Sequence, residues 1–129
     1  MDNWKTAVTE SAICGKTHPD TVEIKSDIDL LKMQFAEGEL PQVKAIEVYH
    51  DGNLCFGYEF FYKNNVQVGH HIGGHVHADV RCERFELESD EYLVGVGGRC
   101  GDICDQLNFT TSKGRKLLAG GKGGEEMQC

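Results

Sequence analysis

Short runs rich in β-branched and aromatic residues follow one another through most of this 129-residue chain, and turn residues separate them. The run 43–50 ("VKAIEVYH") ends at an Asp-Gly pair, which is a strong turn signal. The run 106–111 ("QLNFTT") alternates, so that Leu107, Phe109 and Thr111 share one face. No long helical pattern separates these runs. The sequence therefore predicts an all-β domain of antiparallel strands, in a sandwich, a barrel or a prism.

Glycine pairs recur along the same part of the chain. The chain has 16 glycines and only 2 prolines, and its length suits a single domain, 1–129. The recurrence of the pairs, with a similar strand between them, indicates an internal repeat of supersecondary units. The pairs stand at 73–74, 97–98, 120–121 and 123–124.

Two segments have ambiguous patterns. In 27–35 ("DIDLLKMQF"), Leu31, Met33 and Phe35 alternate as in a strand, although a helix face also fits; we favour a strand. In 79–87 ("DVRCERFEL") the apolar residues change phase, which predicts a β-bulge near Glu83 and Arg84.

The charge balance restricts the class of partner. With 13 basic and 21 acidic residues the net charge is −8, and no basic stripe is present, so nucleic acid is a poor partner. The apolar runs are too short for membrane insertion, and the first 16 residues have no apolar secretory core. We therefore expect a cytoplasmic protein.

The turn 101–105 ("GDICD") carries the most specific chemistry. Such a turn can direct several backbone N–H groups into one small concavity, and the carboxylate of Asp105 adds strong acceptors. A second glycine-rich loop, 120–124 ("GGKGG"), would permit close approach from the other side. Together these groups can hold adjacent hydroxyls of a sugar, and that task needs neither a nucleophile nor a cofactor.

The ordered string "EYLVGVGGRCGDICDQLNFTTSKGRKLLAGGKGG" resembles the jacalin-related lectins, and the resemblance extends over residues 42–124. It implies a β-prism of three Greek-key sheets and a lectin that binds mannose-, glucose- or galactose-type hexoses. In that family a GxxxD loop and a Gly-Gly loop form the sugar site. Asp105 would accept from sugar hydroxyls, and backbone N–H groups would donate. The implied site residues are Gly101, Asp102, Ile103, Asp105, Gly120, Gly121, Gly123 and Gly124.

The sequence departs from the family pattern in two places. Phe56 stands where the first repeat should have its GxxxD aspartate, so that site is expected to be lost. The final strand pair of the family is also missing, and segment 1–41 is divergent, with Asp29 only faintly echoing a GxxxD strand. Three alternatives remain: a truncated prism, a third sheet supplied by 1–41, or completion by a partner chain. An incomplete prism favours a homo-oligomer.

Other interpretations compete with the sugar site. Asp105 can instead cap its own turn. A histidine cluster resembles the opening of a cupin metal motif, with Glu83 one residue beyond the usual spacing, and would give a metal-binding protein. A degenerate prism could serve as a protein-interaction module. The cluster consists of His70, His71, His75 and His77.

The cysteines and catalytic motifs give no support for an enzyme. The six cysteines contain no CxxC pair, so we expect free thiols, with a metal or disulfide role as the alternative. No G-x-S-x-G, HExxH or P-loop pattern occurs.

Overall fold

The computed structural model describes residues 27–35, 40–63, 66–69, 79–101 and 104–128. This part of the chain is mostly β-strand, in antiparallel sheets, with one short helix. The elements are α1 (Asp27–Gln34), β1 (Val43–His50), β2 (Cys55–Tyr62), β3 (Gln67–Gly69), β4 (Arg81–Glu86), β5 (Leu93–Cys100), β6 (Cys104–Thr111), β7 (Lys116–Gly120) and β8 (Glu125–Gln128).

The eight strands form two four-stranded sheets with the same topology. The first sheet has the order β3-β2-β1-β4, and the second has the order β7-β6-β5-β8. In each sheet three strands follow one another, and the fourth returns to lie beside the first, which is a Greek key. The predicted internal repeat is therefore confirmed. These are two of the three sheets that the resemblance implies; completion of the prism lies outside the described residues.

The registers of the two sheets also correspond. The β1–β2 pairing runs from Val43↔Tyr62 to His50↔Cys55, and the β5–β6 pairing runs from Leu93↔Thr111 to Cys100↔Cys104. Both pairings have a register shift after the first residue and another before the last. The second residues of β2 and β6 are thus equivalent, as predicted: Phe56 in the first repeat corresponds to Asp105 in the second.

The two sheets share one apolar core. The alternation of the strands turns their apolar residues toward the space between the sheets, where they are almost completely buried. Phe109 on β6 meets Phe60 on β2 edge to face, with the ring centroids 5.9 Å apart. This contact joins the repeats directly. The buried members are Ile46, Val48, Phe109, Leu117 and Ala119.

The segment 27–35 is a helix followed by a bend, so the predicted strand is wrong there. Leu31 and Phe35 pack with Tyr62 and Val68 in a second apolar cluster, whereas the side chain of Met33 is 82% exposed. A strand would place all three apolar residues on one face, but the spacing of four residues places Leu31 and Phe35 together on a helix.

The predicted bulge near Glu83 and Arg84 is also wrong. Strand β4 pairs with β1 without a shift, from Ala45↔Glu86 to His50↔Arg81. In the sequence, Cys82 is out of phase with the apolar residues Phe85 and Leu87. Cys82 is exposed, and the neighbouring Glu83 instead accepts a hydrogen bond from buried His50 at 2.7 Å.

Candidate functional site

The glycine-rich loop between β7 and β8 lies directly against Asp105. The N–H of Gly121 donates to the backbone oxygen of Asp105 at 2.7 Å. A β-carbon at Gly123 would lie 2.7 Å from Oδ1 of Asp105, and one at Gly124 would lie 2.5 Å from Oδ2. Real β-carbons do not approach oxygen so closely. Glycine at both positions therefore leaves the space that the carboxylate occupies.

The carboxylate of Asp105 is half-buried, and it receives no hydrogen bond or ion pair from the residues that the structure describes. The contrast with the first repeat is informative. There Asp51 caps the β1–β2 turn, because its Oδ1 accepts from the N–H groups of Asn53 and Leu54, both at 2.8 Å. Within this part of the chain Asp105 has no such capping role, so its oxygens are available to a ligand.

The first repeat contributes one wall of the same region. A β-carbon at Gly121 would lie 2.6 Å from the backbone oxygen of Asn53, in the β1–β2 turn. One at Gly120 would lie 2.9 Å from Sγ of Cys55. The glycine-rich loop is therefore enclosed between the β1–β2 turn and Asp105, so the candidate site lies at the boundary of the two repeats.

Two side chains that the sequence interpretation missed hold this loop. Arg99 on β5 donates from Nε to the carbonyl oxygens of Lys122 and Gly123, at 3.2 and 3.0 Å, and from Nη2 to that of Gly124 at 2.9 Å. Gln106 on β6 donates from Nε2 to the carbonyl oxygen of Gly121 at 2.9 Å. The only signal for Arg99 in the sequence is its position directly after the Gly97–Gly98 pair.

A pair of thiols lies beneath the loop. Cys55 and Cys104 occupy equivalent positions in the two repeats, as the first residues of β2 and β6. The neighbouring thiol has the largest effect on each pKa: it lowers the pKa of Cys104 and raises the pKa of Cys55, and burial raises that of Cys55 further. The Cys55 thiol also donates to the backbone oxygen of Ala119 at 3.4 Å. The four described cysteines are free.

The structure brings together most of the predicted site residues that it describes. Gly120, Gly121, Gly123 and Gly124 surround Asp105, as the preceding distances show. Gly101, in the β5–β6 turn, is exposed, and a β-carbon there would meet nothing within 4 Å. The predicted donors Asp102 and Ile103 lie outside the described residues.

The histidine cluster of the competing metal hypothesis also lies outside the described residues. Among those that are described, no group of three or more His, Cys, Asp or Glu side chains is placed to hold a metal ion. In the same part of the chain, no helix has the length and apolar character needed to cross a membrane.

Comparison with protein families identifies the family of this chain. The model of the jacalin-like lectin domain matches residues 13–129, which is most of the chain. The chain belongs to the jacalin-like lectin domain family. The matched range includes Asp105 and the loop 120–124. It also covers residues 13–41, to which the resemblance did not extend. A comparison of this jacalin-like domain with curated proteins found no significant match.

Solved structures confirm the β-prism fold. A prostate-specific WGA16 glycoprotein lectin aligns with a TM-score of 0.58 at 15% identity, over 74% of this chain and 66% of that one. The mannose-binding lectin from Champedak aligns at 0.52 and 22% identity, over 68% and 64%. The lamprey immune protein aligns at 0.51 and 16% identity, over 70% and 29%. The jacalin-like domain thus spans less than two thirds of the length of each of these chains.

Proposed function

We propose that this jacalin-like domain is a non-enzymatic carbohydrate-binding module that holds a hexose between Asp105 and the loop 120–124. The observation that carries the proposal is the carboxylate of Asp105, which lies against Gly123 and Gly124 without a partner from the described residues. Membership of a lectin family and the shared fold of two lectins support the same conclusion.

The chemistry of the site suits adjacent sugar hydroxyls. Each hydroxyl both donates and accepts, and an ionised carboxylate can accept from two of them at once. Hydrogen bonds to a charged acceptor are about twice as strong as neutral ones. The backbone N–H groups of Lys122 and Gly123 have no partner among the described residues, so they can donate to the sugar oxygens. Gly101, in the β5–β6 turn before Asp105, is exposed and has open space around it.

The affinity of a single site is expected to be weak, because few polar contacts must offset the desolvation of a strongly hydrated ligand. A homo-oligomer would raise the avidity without any new contact. Oligomerisation and a cytoplasmic location both stay predictions. Mannose is the first sugar to test, since one of the structures that share the fold is a mannose-binding lectin.

The test compares the purified protein with Asp105→Asn on a glycan array and by titration with mannose, glucose and galactose. Asp105→Asn preserves the side-chain shape but removes the charge and half of the acceptor capacity. The matched control is Asp90→Asn. Asp90 is an exposed acid that precedes the first residue of β5, whereas the candidate site lies beyond the last residue of that strand. Hexose binding that is lost in Asp105→Asn and kept in Asp90→Asn supports the proposal. Equal binding by the two variants, or no glycan binding by the parent, rejects it.

A further inference from the structure

The loop 121–124 presents four consecutive carbonyl oxygens to only two side chains. Gln106 donates a hydrogen bond to the carbonyl of Gly121, and the guanidinium of Arg99 donates to those of the next three residues, all at 2.9–3.2 Å. Arg99 and Gln106 are themselves directly paired across β5 and β6. The two side chains therefore form one continuous row of donors along the loop.

This row restrains a segment that has little stiffness of its own. Glycine loses more conformational freedom on ordering than any other residue, and three of the four residues 121–124 are glycines. The guanidinium is a planar fork with fixed donor directions, so several contacts to one Arg fix the peptide planes relative to each other. Gln106 is equally fixed, because it is 7% exposed and its Oε1 accepts from Asn108 Nδ2 at 3.1 Å.

The contacts also decide where the N–H groups of the loop point. In a trans peptide the carbonyl and the N–H of one plane point in opposite directions, and no cis peptide occurs in the described residues. Since the carbonyls of Gly121 and Lys122 point at Gln106 and Arg99, the N–H groups of Lys122 and Gly123 point away from these two side chains. These are the two donors of the proposed site, and Gly123 also lies against the Asp105 carboxylate.

We propose that Arg99, assisted by Gln106, is a positioning residue that holds the loop 121–124 in its binding shape. The inference rests on the proposed function for its ligand, a neutral hexose, but its structural part is independent of any sugar. Arg99 acts through the backbone of the loop, and its guanidinium does not contact the hexose. Arg99 and Gln106 together form a clamp on the loop. A loop ordered in advance loses less entropy on binding, so the clamp strengthens the affinity of the site.

The experiment compares Arg99→Ala and Arg99→Lys with the parent protein, by NMR of the sugar-free chain and by titration with mannose. The matched control is Arg84→Ala, which removes the same charge from the outer face of β4, where Arg84 contacts Glu47 at 3.0 Å and the ring of Phe61. In Arg99→Ala we expect the backbone order parameters of residues 122–124 to fall from about 0.85 to below about 0.6. Hexose affinity should fall on the order of tenfold. Arg99→Lys, a point charge without the fork, should be intermediate.

The two measurements separate the positioning role from the proposed function. A loop that stays rigid in Arg99→Ala overturns the inference, as does a loosened loop with unchanged hexose affinity. The same loosening in Arg84→Ala also overturns it, since the effect would then be one of charge alone. If the parent binds no hexose while Arg99→Ala still loosens the loop, the clamp is supported and the proposed function is rejected.

Discussion

The buried carboxylate of Glu91 accepts two hydrogen bonds from the guanidinium of Arg115, from Nε at 2.8 Å and from Nη2 at 2.6 Å. Thr111 donates a third at 2.6 Å, and the N–H of Glu88 donates a fourth at 3.0 Å. Three of these hydrogen bonds come from Thr111 and Arg115, which lie far from Glu91 in the sequence, and the fourth comes from Glu88, at the other end of the same turn. Glu91 therefore ties the segment before β5 to the hairpin of β6 and β7, and its charge is fully compensated.

This arrangement predicts a specific acid sensitivity. The hydrogen bonds from Arg115, and then that from Thr111, lower the pKa of Glu91 from 4.5 to about 2. Between these two values the unfolded chain binds more protons than the folded one, so stability falls as the pH falls. Above pH 4.5 the contribution is complete. Melting temperatures measured from pH 7 to 2.5 should decline more steeply for the parent than for Glu91→Gln, which is expected to be less stable at neutral pH. Parallel curves would contradict the assignment.

The second prediction concerns Gly124, whose φ is +67°. An alanine there would adopt the left-handed conformation at a cost of about 1–2 kcal/mol. Its β-carbon would also lie 2.5 Å from Oδ2 of Asp105 and 2.7 Å from the backbone carbon of Cys100. In urea unfolding, Gly124→Ala should lower the free energy of unfolding by at least this backbone cost. The control is Gly101→Ala, which meets nothing within 4 Å and should change stability by less than about 0.5 kcal/mol. Equal midpoints for the two variants would show that the loop readily moves away from Asp105.

The sequence was sufficient to predict the strands after residue 42 and the approach of a glycine-rich loop to Asp105, whereas the role of these residues as a sugar site stays a prediction. Leu107, Phe109 and Thr111 do share a face of β6, and the loop 120–124 does lie against Asp105. The helix α1 was missed, because its apolar residues fit both periods and only the packing of Leu31 and Phe35 decides between them. The role of Arg99 could not be predicted, since backbone carbonyls are its partners and these leave no trace in side-chain identity.

The third prediction tests whether the two repeats unfold together. Phe109 is 1% exposed and packs against Phe60 of the other sheet. Phe109→Ala should destabilise the protein by about 3–5 kcal/mol, through lost burial and the cavity left behind. Leu118→Ala on β7, where the side chain is 46% exposed, is the control and should cost about 0.5 kcal/mol.

Chemical unfolding followed by the NMR amide signals of one strand from each sheet, β1 and β6, and by far-ultraviolet circular dichroism supplies the measurement. Coincident transitions that shift together in Phe109→Ala are expected of one shared core. Two separate transitions, with only one displaced by the substitution, would show that the sheets are independent.

The last prediction concerns the two thiols beneath the loop. The neighbouring Cys55 thiol lowers the pKa of Cys104, whereas the same interaction, followed by burial, raises that of Cys55. Both residues are half-buried, so access differs little and the thiolate fraction decides the rate of alkylation. With iodoacetamide at pH 7.5, peptide mass spectrometry should show Cys104 modified before Cys55. Cys55→Ala removes the neighbouring thiol and should slow the modification of Cys104, although it opens space beside it. Faster alkylation of Cys104 in that variant would mean that access, and not the interaction with Cys55, controls its reactivity.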